Sequence, residues 1–372
     1  MIEEPENEAR LAPDPARMAI PMDGSDPLQP RPRRSSRDVR LLREEHVAEL
    51  VDRDPGLRSA VAALERGFQD YHAGNLGLPE RDERVRVVYP PGQKVRPYEK
   101  DMRILPAMVP AINAAGVWLG CGSETGQGGG TSMTILMDFE RLGLLAFIED
   151  HLLHGIRSGG PTGIAVKHLA RTDARRVGMI GTGRISAVQL TVASGARQIH
   201  SVKAFSRRPE PREAFARRYS EKLGLDIQPV GTMEEAVRDV DILLVATNSH
   251  NAPVVDGSLL SPGTLICSVT PGELDEATCL RGRVVVTSRV RITQDYTLWE
   301  PMASIVLRGE RDLDQDVAEL GDLLAGERPG RTSDDEIITF LSPGIGFCDI
   351  AVARWMFDLS EQHGIGEVAW RT

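Results

Sequence analysis

The run Val177–Ile180 leads directly into Gly181-Thr182-Gly183-Arg184-Ile185-Ser186, and a helical pattern over Ile185–Ala193 follows at once. A strand, a glycine turn and a helix in that order leave few architectures open. Gly181 permits the tight turn, and Gly183 lets the backbone at the helix N-terminus approach a pyrophosphate. Ser186 stands where a third glycine often sits and is small enough to keep helix and strand close. The units that follow keep the same alternation. Val202–Phe205 reads as a strand, Arg212–Leu223 as a helix, Ile227–Val230 as a strand and Met233–Val237 as a helix. Ile242–Ala246, Thr264–Val269 and Val284–Thr287 supply further strands. Strands separated by helices of this length predict a parallel, doubly wound sheet of the Rossmann type that binds a dinucleotide.

The end of the second strand bears on which dinucleotide. An NAD site usually places Asp or Glu about 20 residues after the glycines, to accept bonds from the ribose 2′-hydroxyl. This chain has Phe205-Ser206-Arg207-Arg208 there. A carboxylate would repel a 2′-phosphate, whereas a serine and two guanidiniums can bind one. Ser206, Arg207 and Arg208 therefore favour NADP over NAD. Ala246-Thr247-Asn248-Ser249 and Val269-Thr270-Pro271-Gly272 end the fourth and fifth strands at the carboxyl edge of the sheet, where such folds bind their ligands. Thr247 and Val269 join the glycine turn as cofactor-site candidates.

The rest of the chain sets limits. Its 372 residues suit two domains, with 41% hydrophobic and 26% charged residues in the ordinary globular range. A formal charge of −10 argues against nucleic acid or an anionic membrane as partner. The longest apolar run, Leu142–Ile148, is too short to cross a bilayer. Four scattered cysteines without a CxxC pair read as reduced thiols, which gives no metal site and a cytoplasmic location. Residues 1–36, rich in proline and charge, read as a flexible extension. Order is expected from Asp38, with two helices over Leu41–Tyr71 broken near Pro55. Strands are expected at Arg84–Tyr89, Leu105–Leu119 and Ser132–Asp138, and a strand edge or short helix at Leu144–His151. Thr162–Leu169, Asp314–Leu324 and Cys348–Gly364 read as helices.

Three stretches resemble the ornithine cyclodeaminase/mu-crystallin family. They are the nucleotide unit with its spacing to EEAVRDVDILLVATNS and PGTLICSV, the helix IRSGGPTGIAVKHLAR at Ile156–Arg171, and LLAGERPGRTSDDEIITFLSPGIGFCDIAVA at Leu323–Ala353. The resemblance implies a homodimer in which residues 37–165 plus 302–372 form a discontinuous α+β substrate and dimerisation domain. The Rossmann domain, residues 166–301, would be inserted into it. It also implies an NAD(P)H-dependent oxidoreductase acting on a C–N bond, an imine reductase or amino-acid-type dehydrogenase whose substrate carries amino or imino and carboxylate groups. A non-catalytic NADPH-binding protein and a cyclodeaminase-like lyase are the alternatives it leaves. Arg157 matches the family's helix arginine, which contacts substrate carboxylate or cofactor, and Arg81 resembles its other carboxylate-binding arginine.

Two departures bear on the chemistry. Trp118 stands after Gly116-Val117 where the family usually has a lysine, and Ser268–Leu274 lacks the aspartate of the cyclodeaminases, leaving Glu273 and Asp275 as the nearest carboxylates. Cyclodeamination needs that carboxylate, whereas a reductase needs one acid to protonate the developing amine. Candidate acids are His151, His154, Glu124 in the glycine loop Gly120–Gly130, and Asp349, which is equally suited to capping a helix.

Overall fold

The computed structural model describes residues 38–79, 85–89, 100–122, 130–247, 253–293 and 298–371. Arg81, Glu124, Asn248 and the extension over 1–36 lie outside these residues. Two sheets organise residues 38–371. The first has seven strands in the order Glu367–Arg371, Asp38–Leu42, Leu144–Glu149, Thr131–Asp138, Ala114–Gly122, Lys100–Val109 and Val85–Tyr89. Its pairs are antiparallel except the parallel pair of Asp38–Leu42 with Leu144–Glu149. The expected Leu105–Leu119 strand is two strands, because Asn113 adopts a left-handed φ of 48° and turns the chain after Pro110–Ile112.

Period-two alternation decides which face of this sheet is covered. Leu105, Ala107, Trp118, Thr134, Leu136, Ala146 and Ile148 are buried on the face covered by the helix Gly346–His363, against which Arg58–His72 and His151–Gly159 pack in turn. Their neighbours Ile104, Val117, Leu119, Met133, Ile135 and Phe147 stay partly exposed on the opposite face, and Val85, Val87 and Tyr89 are exposed at its edge. The break near Pro55 separates helices Glu44–Asp52 and Arg58–His72. The Asp54 carboxylate accepts from Ser59 N at 3.0 Å and so opens the second helix.

The second sheet has eight parallel strands in the order Val317–Glu319, Arg283–Val286, Ile338–Leu341, Leu265–Ser268, Ile242–Val245, Arg176–Ile180, Ser201–Phe205 and Asp226–Pro229. The α/β, doubly wound expectation holds. Two of its strands come from beyond residue 301, so the segment 302–372 contributes to both sheets. The helix expected over Asp314–Leu324 is a strand at Val317–Glu319 followed by a helix at Leu320–Leu324. Val317 and Ala318 pair with Val284 and Val285 as an edge strand, a long-range gain that overrides local helical spacing.

Candidate active site

The nucleotide end is built where the strand Arg176–Ile180 runs into the helix Arg184–Ala196. Gly181 has φ +106°, and a Cβ there would sit 2.0 Å from the Ala246 carbonyl oxygen. Only glycine fits that crossing. Ser186 Oγ donates to the same carbonyl at 3.2 Å, which holds helix and strand together. A Cβ on Gly183 would meet nothing within 4 Å, so the helix N-terminus faces open space, as a diphosphate requires. Beside it opens a cleft of about 490 Å³ lined by Thr182, Gly183, Ser206, Arg207, Arg208 and Pro211. Ser206 Oγ donates to the Arg208 carbonyl (3.1 Å) and Arg212 donates to the Ser206 carbonyl (3.1 Å), fixing the turn while Arg207 and Arg208 stay exposed. The cleft suits the adenosine half of a dinucleotide. Ile185 lies half-buried in the first turn of the helix. Arg184 turns away from the cleft: its stem packs at Gly155 and its guanidinium donates to Nδ1 of His151, joining the nucleotide helix to the helix His151–Gly159.

Further along the same sheet edge, Thr247 and Val269 follow the strands Ile242–Val245 and Leu265–Ser268, both half-buried. Between them lies Glu273, fully buried. Its Oε1 accepts from the Thr247 amide and from Thr247 Oγ1 (3.0 Å), and its Oε2 from Ser268 Oγ (2.7 Å) and the Thr270 amide (3.1 Å). Burial pushes this carboxyl above the usual carboxylate range against the pull of those four donors. Both oxygens are committed, so Glu273 is a strut between two strand ends and not a carboxylate available to substrate.

A second cluster hangs over this edge. Arg157, in the helix His151–Gly159, places Nε 3.1 Å from the fully buried carboxylate of Asp349. Asp349 occupies the first turn of the helix Gly346–His363, whose N-cap is Ile345, so its carboxylate serves Arg157 and not a cap. A Cβ on Gly344 would fall 2.0 Å from Arg157 Nη1, which shows how closely the guanidinium lies over the loop after Ile338–Leu341. That strand neighbours Leu265–Ser268, and the cluster therefore lies at the carboxyl edge of the sheet, several strands away from Arg207 and Arg208. Arg157 also donates to His154 Nδ1 at 3.1 Å, and its guanidinium carbon lies 5.9 Å from the Trp118 ring centroid. Arg103 approaches the same ring at 5.6 Å. The indole folds back over Gly120, where a Cβ would meet it at 2.3 Å.

Of the expected substrate residues, Arg157 and Asp349 come together, and Arg81 lies outside the described residues. Of the candidate acids, His151 meets Arg184 and His154 meets Arg157. Sequence patterning singles out neither Asp150 nor Arg103. Asp150 is hidden because Leu144–His151 reads as one element. The strand ends at Glu149 and the helix starts at His151, which leaves Asp150 in the N-cap position.

The sequence profile of the ornithine cyclodeaminase/mu-crystallin family matches residues 45–364. A Delta(1)-pyrroline-2-carboxylate reductase of Bacillus cereus is 31% identical over 241 residues, 63% of this chain and 73% of that protein. The structure of Thermococcus litoralis Delta(1)-pyrroline-2-carboxylate reductase in complex with NADH and L-proline superposes with a TM-score of 0.77 at 26% identity, covering 88% of this chain and 99% of that one. An archaeal alanine dehydrogenase dimer with bound NAD gives 0.75 at 27% identity, covering 89% and 98%.

Proposed function

Because the chain belongs to the ornithine cyclodeaminase/mu-crystallin family, we propose that it is an NAD(P)H-dependent oxidoreductase that reduces the C=N bond of an amino-acid-derived imine. The observation that carries this reading is the Arg157–Asp349–His154 cluster held over the carboxyl edge of a dinucleotide-binding sheet. A buried-edge guanidinium grips a substrate carboxylate, and the imine carbon then lies toward the nicotinamide. When bound, the reduced nicotinamide supplies hydride to that carbon. Gly181, Thr182 and Gly183 would hold the diphosphate, and Thr247 and Val269 flank the nicotinamide end. Glu273, with both oxygens occupied, supports a reductase over a cyclodeaminase, and relatives named pyrroline-2-carboxylate reductase point the same way. Mixing the protein with NADPH and a panel of cyclic imino acids tests the reading. Consumption of NADPH that depends on the imine is expected; NADPH bound without turnover on any imine would favour a binding protein.

NADP is the proposed cofactor, supported by Ser206, Arg207 and Arg208 around the cleft and by the lack of a carboxylate in its lining among the described residues. The two related structures contain NADH and NAD, so the arginines carry this point alone. Charge-assisted bonds of about 1.5–3 kcal/mol translate into roughly 10–100-fold in affinity. The double variant Arg207→Ala/Arg208→Ala is expected to lose that much affinity for NADPH in fluorescence titration and little for NADH. Equal losses for both would contradict the 2′-phosphate assignment.

The half-exposed apolar face of the seven-stranded sheet supports a homodimer. Ile104, Leu119, Met133 and Ile135 form a continuous patch of the kind that marks protein contact. One related structure is described as a dimer. Ile135→Lys would bury a charge in such an interface, and sedimentation should then read a monomer. An unchanged sedimentation coefficient would move the interface elsewhere. No helix among the described residues is long and apolar enough to cross a membrane, and none of the four cysteines is in a disulfide.

A further inference from the structure

We propose that Asp150 is the proton donor of the imine reduction, and that His154 is a positioning residue that keeps its carboxyl apart from the Arg157 guanidinium. The inference rests on the reductase reading above and gives that site its acid.

Asp150 occupies a position where aspartate normally caps a helix, yet its side chain makes no capping bond. Glu44 has taken over that role: its carboxylate accepts from the His151 amide and, at 3.2 Å, from the Leu152 amide. The Asp150 carboxyl is thereby released into the cluster, where the residue is 2% exposed. Its Oδ1 is buried, and the carboxyl faces the Trp118 indole N–H and the Ser132 hydroxyl, both of which favour its charged form. Freed from its helix end, this buried carboxyl stands in the cluster that the proposed substrate enters.

His154 stands between this carboxyl and Arg157. Its Nδ1 accepts from Arg157 at 3.1 Å and lies 3.8 Å from Asp150 Oδ2. An imidazole that accepts at Nδ1 is neutral, and burial with the surrounding guanidiniums holds His154 well below the ordinary imidazole range. The neutral ring fills the space in which Arg157 would otherwise pair with Asp150 and fix it as a carboxylate. Burial pushes the Asp150 carboxyl above its usual range, against Trp118, Ser132, Arg157 and Arg184. The charged and titratable groups around the pair are His151 and Arg157 on its own helix, Arg184 on the nucleotide helix, Arg103 on the strand Lys100–Val109 and Glu44 on the first helix. Trp118 offers no ammonium for the task.

In the reduction, the proton leaves the Asp150 carboxyl for the imine nitrogen while a C–H bond forms at the imine carbon with hydride from the nicotinamide. The C=N π bond is consumed, the substrate is reduced and the dinucleotide is oxidised. Solvent reprotonates Asp150 once the amine has left.

The first test needs no cofactor: carboxyl ¹³C NMR titration of the full chain labelled at aspartate, with Asp150→Asn assigning the resonance. The expected midpoint lies above the ordinary aspartate range and moves down in His154→Ala, where Arg157 gains access to the carboxyl. A wild-type midpoint at or below the ordinary range overturns the proposal, and so does a midpoint that His154→Ala leaves in place. If Asp150→Asn does not fold, the resonance that moves in His154→Ala still decides the matter. The second test is turnover of NADPH with Delta(1)-pyrroline-2-carboxylate. Asp150→Asn should lower kcat about 100-fold or more with NADPH affinity retained. His154→Ala should move the alkaline fall of kcat to lower pH. Full kcat in Asp150→Asn overturns the donor and leaves the reductase standing. No turnover by the wild type on any imine removes the reductase reading, and the donor falls with it.

Discussion

Replacing Arg157 by leucine is expected to lower stability by about 3 kcal/mol and to remove imine reduction, because one guanidinium serves both the fold and the site. The Asp349 carboxylate beside it is fully buried. Without this counter-charge an ionised carboxylate stays in a low-dielectric interior, or takes up a proton at a cost in free energy. The same substitution strips His154 of the donor at Nδ1 and opens a gap over Gly344, which leaves space only for a slender guanidinium. Urea unfolding checks the first part and turnover the second. The double variant Arg157→Leu/Asp349→Leu should recover most of the lost stability and none of the activity, since it removes the stranded charge along with its partner. A double variant as unstable as the single one would show that Asp349 does not depend on Arg157.

Glu273→Ala should cost a similar amount, about 3 kcal/mol, for a different reason. The side chain ties Thr247 to Ser268 and Thr270, joining the ends of two adjacent strands at the carboxyl edge of the sheet. Truncation leaves the Thr247 and Thr270 amides without their acceptor. Ser268 Oγ can fall back on the Thr270 carbonyl at 3.3 Å, and Thr270 Oγ1 keeps the Thr247 carbonyl at 3.3 Å. Glu273→Gln should cost less, about 1–2 kcal/mol, as its NH₂ must face one fixed amide donor. The wild type also has a pH signature. Its buried carboxyl binds a proton more tightly in the folded than in the unfolded chain. Stability on this account therefore rises as pH falls from neutrality toward the unfolded glutamate value of about 4.3. The gap between wild type and Glu273→Gln should widen over that interval in thermal melts; a narrowing gap would mean that the four donors outweigh burial.

The nucleotide half was legible in the sequence because its signals are local. A glycine that must adopt φ +106° beside a carbonyl is marked by the residue itself, and buried parallel strands print as short apolar runs. The serine and arginines after Phe205 were readable for the same reason. The substrate half was less legible. Val317–Glu319 and Ile338–Leu341 are strands only because partners far away in the sequence pair with them. Arg157 and Asp349, 192 positions apart by their numbers, meet through the packing of two helices. Asp150 was hidden by a cap exchange, since no local rule says that Glu44 takes the amides an aspartate would have bound. Glu273 was visible as a carboxylate, but its burial under four donors was not.

Hydride is expected to pass between the nicotinamide of a dinucleotide whose diphosphate is held at Gly181–Gly183 and the carbon bearing nitrogen in a carboxylate-anchored substrate. The most direct measurement is the fate of the label when the protein works with NADPH deuterated at the transferring C4 position and Delta(1)-pyrroline-2-carboxylate or a related cyclic imino acid. One deuterium on the carbon adjacent to the product nitrogen, with one NADP⁺ formed per amine, is the predicted result. Product without deuterium, or ornithine consumed with release of ammonia and no net change in the cofactor, would contradict it.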